Sequence, residues 1–443
     1  MNKRRRPLNY FRIFILLGAI AFVMYFGVVV GPSVQSSFLP TPTPTRSPES
    51  YVSEAGQFFQ QGKLTQAIQS YELAIRALPN DASIYISLAR TQVWAGKYKE
   101  AQTSAENALL LNPNNSTAHA VRGWALEAQK DYLAAETAIK RALEIDPNNA
   151  LAHSYYAELI ADEYIDGKGP FDALTQMSEE SKVALTLAPG LFEAHRARGY
   201  VFEATGNYEE AIREYEAAVA IDKNIADVFV SLGRNYRALG VYDKAVNALT
   251  IANQLNPTDP TPLLYISRVY ATVGEYAKAE QYAQQAVKTN PSDPTLRGNL
   301  GVMYYRNFKW PAASTELGLV VKGGKDADGV EVQSIELAAN AARIDEYYFT
   351  YGLVLVRLNQ CGDALPLFQK LLSISTNDEI AVYNANEGIR LCTEAAAGTP
   401  TPGKGTPVAT PGKGTIVPTP GKGTPGAAAP VATAKAPILT PTP

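Results

Sequence analysis

Three histidines, His119, His153 and His195, are the full imidazole complement of this 443-residue chain and stand 34 and 42 residues apart. Brought together, neutral imidazoles would suit zinc, which takes nitrogen ligands at about 2 Å. Four acids close in sequence, Glu158, Asp162, Glu163 and Asp166, are oxygen ligands of the kind calcium takes. The segment KDADG at 325–329 has the acids and the glycine of a calcium loop, but the bidentate acid due after Gly329 falls on Ile335. A solvated acidic turn accounts for that segment. A solvated helix face and loop accounts for the other four acids, with local calcium binding as the alternative. Cys361 and Cys392, the only two cysteines, have neither the spacing nor the neighbours of a metal site. With no P-loop, dinucleotide fingerprint or nucleophile elbow, the reading is of a non-enzyme without catalytic residues, cofactor or metal.

The elements that would position these groups are unevenly distributed. All 43 acids lie between Glu49 and Glu394, where 30 cations leave a formal charge of −13. An acidic body argues against a nucleic-acid partner, because phosphate binding needs a clustered cationic face. Residues 1–12 hold Lys3, Arg4, Arg5, Arg6 and Arg12 and no acid. From Ile13 to Val30 follow eighteen residues without a charge, about 27 Å as a helix and nearly one hydrocarbon core. With the cationic flank inside, this predicts a transmembrane helix, a cytoplasmic N-terminus and an extracytoplasmic remainder. The rival is a secretory signal whose cleavage would release the protein, although Val34-Gln35-Ser36 makes a poor cleavage site. A Pro/Thr-rich linker (31–48, with PTPTPTRSP at 40–48) should be extended and semi-rigid. The tail (398–443), in which TPGKGT recurs at Thr401, Thr410 and Thr419, should be disordered. A spacer, a glycan-bearing stalk and a wall-contacting segment all fit its composition.

Between these ends the chain repeats itself. Prolines recur at Pro79, Pro113, Pro147, Pro189, Pro257 and Pro291, at intervals of 34, 34, 42, 68 and 34. Alanines mark one helix at Ala67, Ala101, Ala135, Ala211, Ala245 and Ala279, and again seven residues later. Another helix carries Ala55, Ala89, Gly123, Ala157, Gly199, Gly233, Ser267, Gly301 and Gly352, and Gly62, Gly96, Gly206, Gly240 and Gly274 stand where C-cap glycines end it. The period defines nine units, with long connections in the fourth (162–171) and eighth (from Gly323). In the eighth, Val-Glu-Val at 330–332 predicts a short hairpin, and a final helix over 378–397 would cap the array.

These residues at this period resemble the tetratricopeptide repeat of membrane-anchored bacterial proteins. The resemblance implies an all-α, right-handed α-solenoid of helix-turn-helix units over 49–397. It also decides the histidines. Equivalent residues of stacked units lie roughly 10 Å apart, too far to share an ion, and the family uses their place for packing; Tyr51, Tyr85 and Phe229 hold it in other units.

In the family, first helices line a concave groove where side chains read a ligand. Carried over, the groove would comprise Arg90, Trp94, Trp124, Glu127, Arg196, Tyr200, Glu203, Arg234, Arg237, Arg268, Tyr305 and Arg306. The later units are arginine-rich, which suits a protein or peptide partner presenting carboxylates or another anion. The alternative is that these arginines pair with acids on neighbouring helices. The function expected is a protein-binding scaffold with no small-molecule substrate; the alternatives are a structural envelope protein or an accessory subunit of an envelope enzyme. An oxidising compartment would join Cys361 to Cys392, which the resemblance puts at the last repeat's turn and late on the capping helix, with buried free thiols as the alternative.

Overall fold

The computed structural model describes residues 10–25, 28, 46–338 and 341–397. The N-terminal helix α1 (Tyr10–Tyr25) is 16 residues long, about 24 Å at 1.5 Å per residue and short of a hydrocarbon core near 30 Å. Among the described residues no helix is long and apolar enough to cross a membrane. The expected span at 13–30 is thus not shown by the described residues; residues 26, 27, 29 and 30 lie outside them, as do most of the linker and the whole tail from 398.

From Pro48 onward the described chain is an all-α solenoid of helix pairs. The first helices are α2 (Pro48–Gln60), α4 (Ala82–Trp94), α6 (Ser116–Glu127), α8 (Ala150–Ile165), α10 (Phe192–Ala204), α12 (Ala226–Ala238), α14 (Thr261–Thr272), α16 (Pro294–Arg306) and α18 (Ala342–Arg357). Their partners are α3 (Leu64–Ala77), α5 (Tyr98–Leu111), α7 (Tyr132–Ile145), α9 (Ala173–Leu187), α11 (Tyr208–Ile221), α13 (Tyr242–Leu255), α15 (Tyr276–Thr289), α17 (Trp310–Lys322) and α19 (Cys361–Ile374). The last helix, α20 (Glu379–Ala396), packs on α18 and α19.

Local chemistry starts and stops the helices. Asp81, Asn115 and Asn149, at the repeat spacing, each accept an amide of the first helical turn, satisfying donors the helix cannot. At the turns within units the backbone takes the left-handed conformation at Gly62, Gly96, Gly206, Gly240 and Gly274, with φ of 71° to 84°. Lys130, Phe308 and Asn359 adopt it too. The alanine columns at Ala67, Ala101, Ala135, Ala211, Ala245 and Ala279 are fully buried. The two helices of a unit approach closely where a glycine on the first meets a bulky residue sixteen places on: a Cβ at Gly233 would lie 2.4 Å from Leu249 Cγ, and one at Gly301 2.5 Å from Leu317 Cγ.

Both irregular units depart from the pattern where the sequence lengthens. In the fourth, α8 is longer than the other first helices of the front half and turns at Gly167 before α9 begins. In the eighth, β1 (Gly324–Lys325) pairs antiparallel with β2 (Glu331–Val332), the hairpin that the Val-Glu-Val pattern predicts. Asp326 Oδ1 accepts the amides of Asp328 and Val330 at 3.0 and 2.8 Å, and its other oxygen accepts from Arg297. The acidic turn is thus exposed apart from half-buried Asp326, whose carboxylate organises it.

The array winds back on itself. Asn224, between α11 and α12, donates its amide to the carbonyl of Gln60 at the end of α2. Phe59 packs into the apolar cluster that holds Tyr215, Leu249 and Leu255. One layer deeper, Trp94 of α4 meets Phe192 of α10 edge-on at 5.6 Å, and Arg90 pairs with buried Glu193.

Candidate binding cavity and arginine face

One register of the repeat runs along the inside of this turn: Arg90, Trp124, Glu158, Tyr200, Arg234 and Arg268, each one unit after the last. Between the facing layers lies a cavity of about 610 Å³, lined among others by Trp124, Glu127, Glu158, Asp162, Arg196 and Tyr200. Bulky side chains on a tightly curved inner surface meet across it, so the front half of the expected groove is a half-open cavity. Trp124 is 4% and Glu127 7% exposed.

Arg196 sits at its centre, 4.8 Å from the ring of Trp94 and 5.1 Å from that of Trp124. Its guanidinium pairs with Glu158 and, at 3.3 Å, with Asp227. Burial works against its charge, but those two acids hold its pKa above the ordinary value. Burial pushes Glu158 up to about 8 although Arg196 pulls it down. Glu127 is raised well above its ordinary value, first by burial and then by the charges of Glu158 and Asp162. Tyr200 donates to Asp162. Glu203, not itself facing the cavity, accepts from Arg234 at 2.8 and 3.1 Å and from Tyr215 at 2.9 Å.

Glu158 corrects the reading of a solvated acidic face: it is 3% exposed and belongs to the inner register. The signal lay in the repeat, because a step of 34 residues from Trp124 lands on it and a step of 42 leads on to Tyr200. Asp166 is also tied into structure, accepting from Tyr132 at 2.9 Å.

The remaining groove residues divide sharply. Arg90, Arg196 and Arg234 are each neutralised by an acid on a neighbouring helix. Arg237 and Arg268, on α12 and α14, have no ion-pair partner among the described residues, and the Nε of each is buried without a hydrogen-bond partner. Both pKa values lie below the ordinary guanidinium value, Arg237 through burial and the charges of Arg268 and Arg343, Arg268 through burial and Arg343. Arg306 lies 6.0 Å from the ring of Tyr276, and Tyr305 packs on Trp310 at 5.3 Å.

Each histidine ties its first helix to the connection before it. Nε2 of His119, His153 and His195 lies 2.9 to 3.0 Å from the carbonyl of the proline six residues earlier. Arg297 makes the same contact to Pro291 at 2.6 Å. Burial lowers the pKa of His119. Burial acts on His153 as well, but hydrogen bonds to Glu180 and Pro147 outweigh it and the net shift is upward. Among the described residues no three His, Cys, Asp or Glu side chains converge to hold a metal ion.

Sequence models of the tetratricopeptide repeat match residues 86–150, 192–225, 225–294 and 264–327. Residues 86–150 and 192–327 carry tetratricopeptide repeats. A search of curated proteins found no match. Among solved structures, the human IFIT1 dimer with m7Gppp-AAAA is 18% identical with a TM-score of 0.50, over 82% of this chain and 92% of that one. Yeast Tom70 is 12% identical with a TM-score of 0.40, over 79% and 96% of the two chains. A tetratricopeptide repeat protein from Parabacteroides merdae is 17% identical with a TM-score of 0.38, over 58% and 99%. At these identities the likeness is one of fold. Tetratricopeptide arrays typically serve as protein-protein interaction scaffolds, built from stacked helices that leave one continuous inner surface.

Proposed function

We propose that this protein is a membrane-anchored, extracytoplasmic scaffold that holds a protein or peptide through anionic groups docked at Arg237 and Arg268. The observation that carries the anionic preference is this pair itself. Two guanidinium groups have buried, unpartnered Nε atoms and depressed pKa values, Arg237 through burial and Arg268, and Arg268 through burial and Arg343, with no acid among the described residues to relieve them. A ligand carboxylate would supply both the missing acceptor and the missing charge, and a planar guanidinium fork suits it. The acidic remainder of the body would steer such a ligand away from other surfaces.

The anchor reading rests on the cationic segment before the apolar run at 13–30 and gains support from the bridge between the only two cysteines, which persists in oxidising compartments. Protease added to intact spheroplasts should degrade the repeats; repeats protected until lysis would refute that topology. For the docking site, the probe is a hexaglutamate peptide titrated into the full-length protein at low salt. Arg237→Ala with Arg268→Ala should weaken its binding by about 2 kcal/mol or more with helical content unchanged. Equal affinity in the folded variant would remove the arginine pair from the site.

A further inference from the structure

The cavity inside the first superhelical turn has unmet chemistry of the opposite sign. Its arginines are already matched, Arg196 by Glu158 and Asp227 and Arg234 by Glu203. Its acids are not. Glu127 is 7% exposed and its Oε2 has no hydrogen-bond partner; Glu158 is 3% exposed and its Oε1 has none either. Both residues line the cavity, with Asp162 beside them. A buried carboxylate oxygen without a donor disfavours the charged form, so the two acids lack hydrogen-bond donors beyond the one that Arg196 gives Glu158.

We propose that this cavity binds an alkylammonium group seated against Glu127 and Glu158. An ammonium head is compact and carries three donors without an acceptor, which matches neighbouring oxygens that have no donor. The volume of about 610 Å³ holds the attached alkyl chain as well, and the rings of Tyr98 and Tyr200 line the same space. A bare metal ion fits less well, because no three ligand side chains converge here among the described residues. The ammonium can come from a free diamine or from a lysine side chain of a bound peptide.

Seating the cation also moves a proton. The groups that face Glu127 are Glu158 and Asp162 from α8, Arg196 and Tyr200 from α10, and Tyr98 from α5. In the empty cavity burial and the two acids favour protonated Glu127. An ammonium beside it favours the charged form, so binding draws Glu127 towards losing its proton.

Calorimetric titration of the full-length protein with cadaverine, with the lysine peptide Ala-Lys-Ala-amide and with the neutral 1,5-pentanediol tests this. Cadaverine binding assigns the site to a diffusible diamine, binding of the peptide alone assigns it to a protein side chain, and binding of neither overturns the proposal. Glu127→Gln should weaken the bound amine tenfold or more, whereas Arg237→Ala with Arg268→Ala should leave it unchanged, so this site and the arginine face fail separately. Equal affinity in Glu127→Gln, or equal affinity for the diol, also overturns it. In the wild-type protein, titrations in buffers of different ionisation enthalpy should show proton release; none would overturn the proposal even if the variant does not fold.

Discussion

The side-chain amide of Asn224 donates to the main-chain carbonyl of Gln60, across 164 residues of sequence. This contact brings the turn within the first helix pair onto the connection between the fifth and sixth pairs, at one side of the cavity. A neutral hydrogen bond contributes only about 1 kcal/mol net, but here it acts on a rim with few other links. Asn224→Ala should therefore speed amide exchange over 58–64 while leaving 264–327 at its wild-type rate. Unchanged exchange at the rim would mean that Phe59 and its apolar neighbours hold the closure alone.

Two glycines separate backbone strain from steric fit. Gly206 has φ of 75° and open space around an added Cβ, so Gly206→Ala should cost about 1 to 2 kcal/mol from the left-handed conformation alone. Gly233 lies in a helix, and an added Cβ would reach 2.4 Å from Leu249 Cγ. Gly233→Ala should cost about 1 to 3 kcal/mol through overpacking. Adding Leu249→Ala should recover part of the second loss and none of the first. Recovery in both cases, or in neither, as read from thermal unfolding midpoints, would contradict this division.

The solenoid was legible because its determinants are local and repeated. Small residues at fixed places, a proline after the second helix and an acid or amide before the next first helix each specify one turn of chain, and the same specification recurs every 34 residues. Lys130 and Phe308 were invisible as turn residues because nothing in their type announces a positive φ, whereas Asn359 is of a type that adopts it readily. The histidines were legible as packing residues, but not their bond to the proline carbonyl, which needs the rotamer. The inner face was half legible. Its register could be counted from the sequence, yet which arginines find acids depends on how tightly the superhelix curves, a sum of small rotations over many units. That curvature brings Glu193 to Arg90 over 103 residues and leaves Arg237 without an acid. It also turned Glu158 from an apparent solvent-facing acid into a wall of the cavity.

The far end of the array is held covalently. Cys361 opens α19 and Cys392 lies in α20, and the two are bridged with Cα atoms 5.6 Å apart. Terminal helices of a solenoid have a neighbour on one side only and fray first, so a tie between the cap and the last pair acts where the structure is weakest. The sequence separation of 31 residues corresponds to about 3 to 4 kcal/mol in the chain-entropy account. Phe368 would retain its place between Gly352 and Gly388 without the bridge, so the loss should be local to the cap. Protein denatured without reductant should show no reactive thiol. Cys361→Ser with Cys392→Ser should then speed amide exchange in α20 by more than a hundredfold, the equivalent of about 3 kcal/mol, with exchange in α4 to α15 unaltered. Two reactive thiols in the unreduced protein would exclude the bridge, and unchanged exchange in the double variant would show that packing against Phe368 is enough to hold the cap.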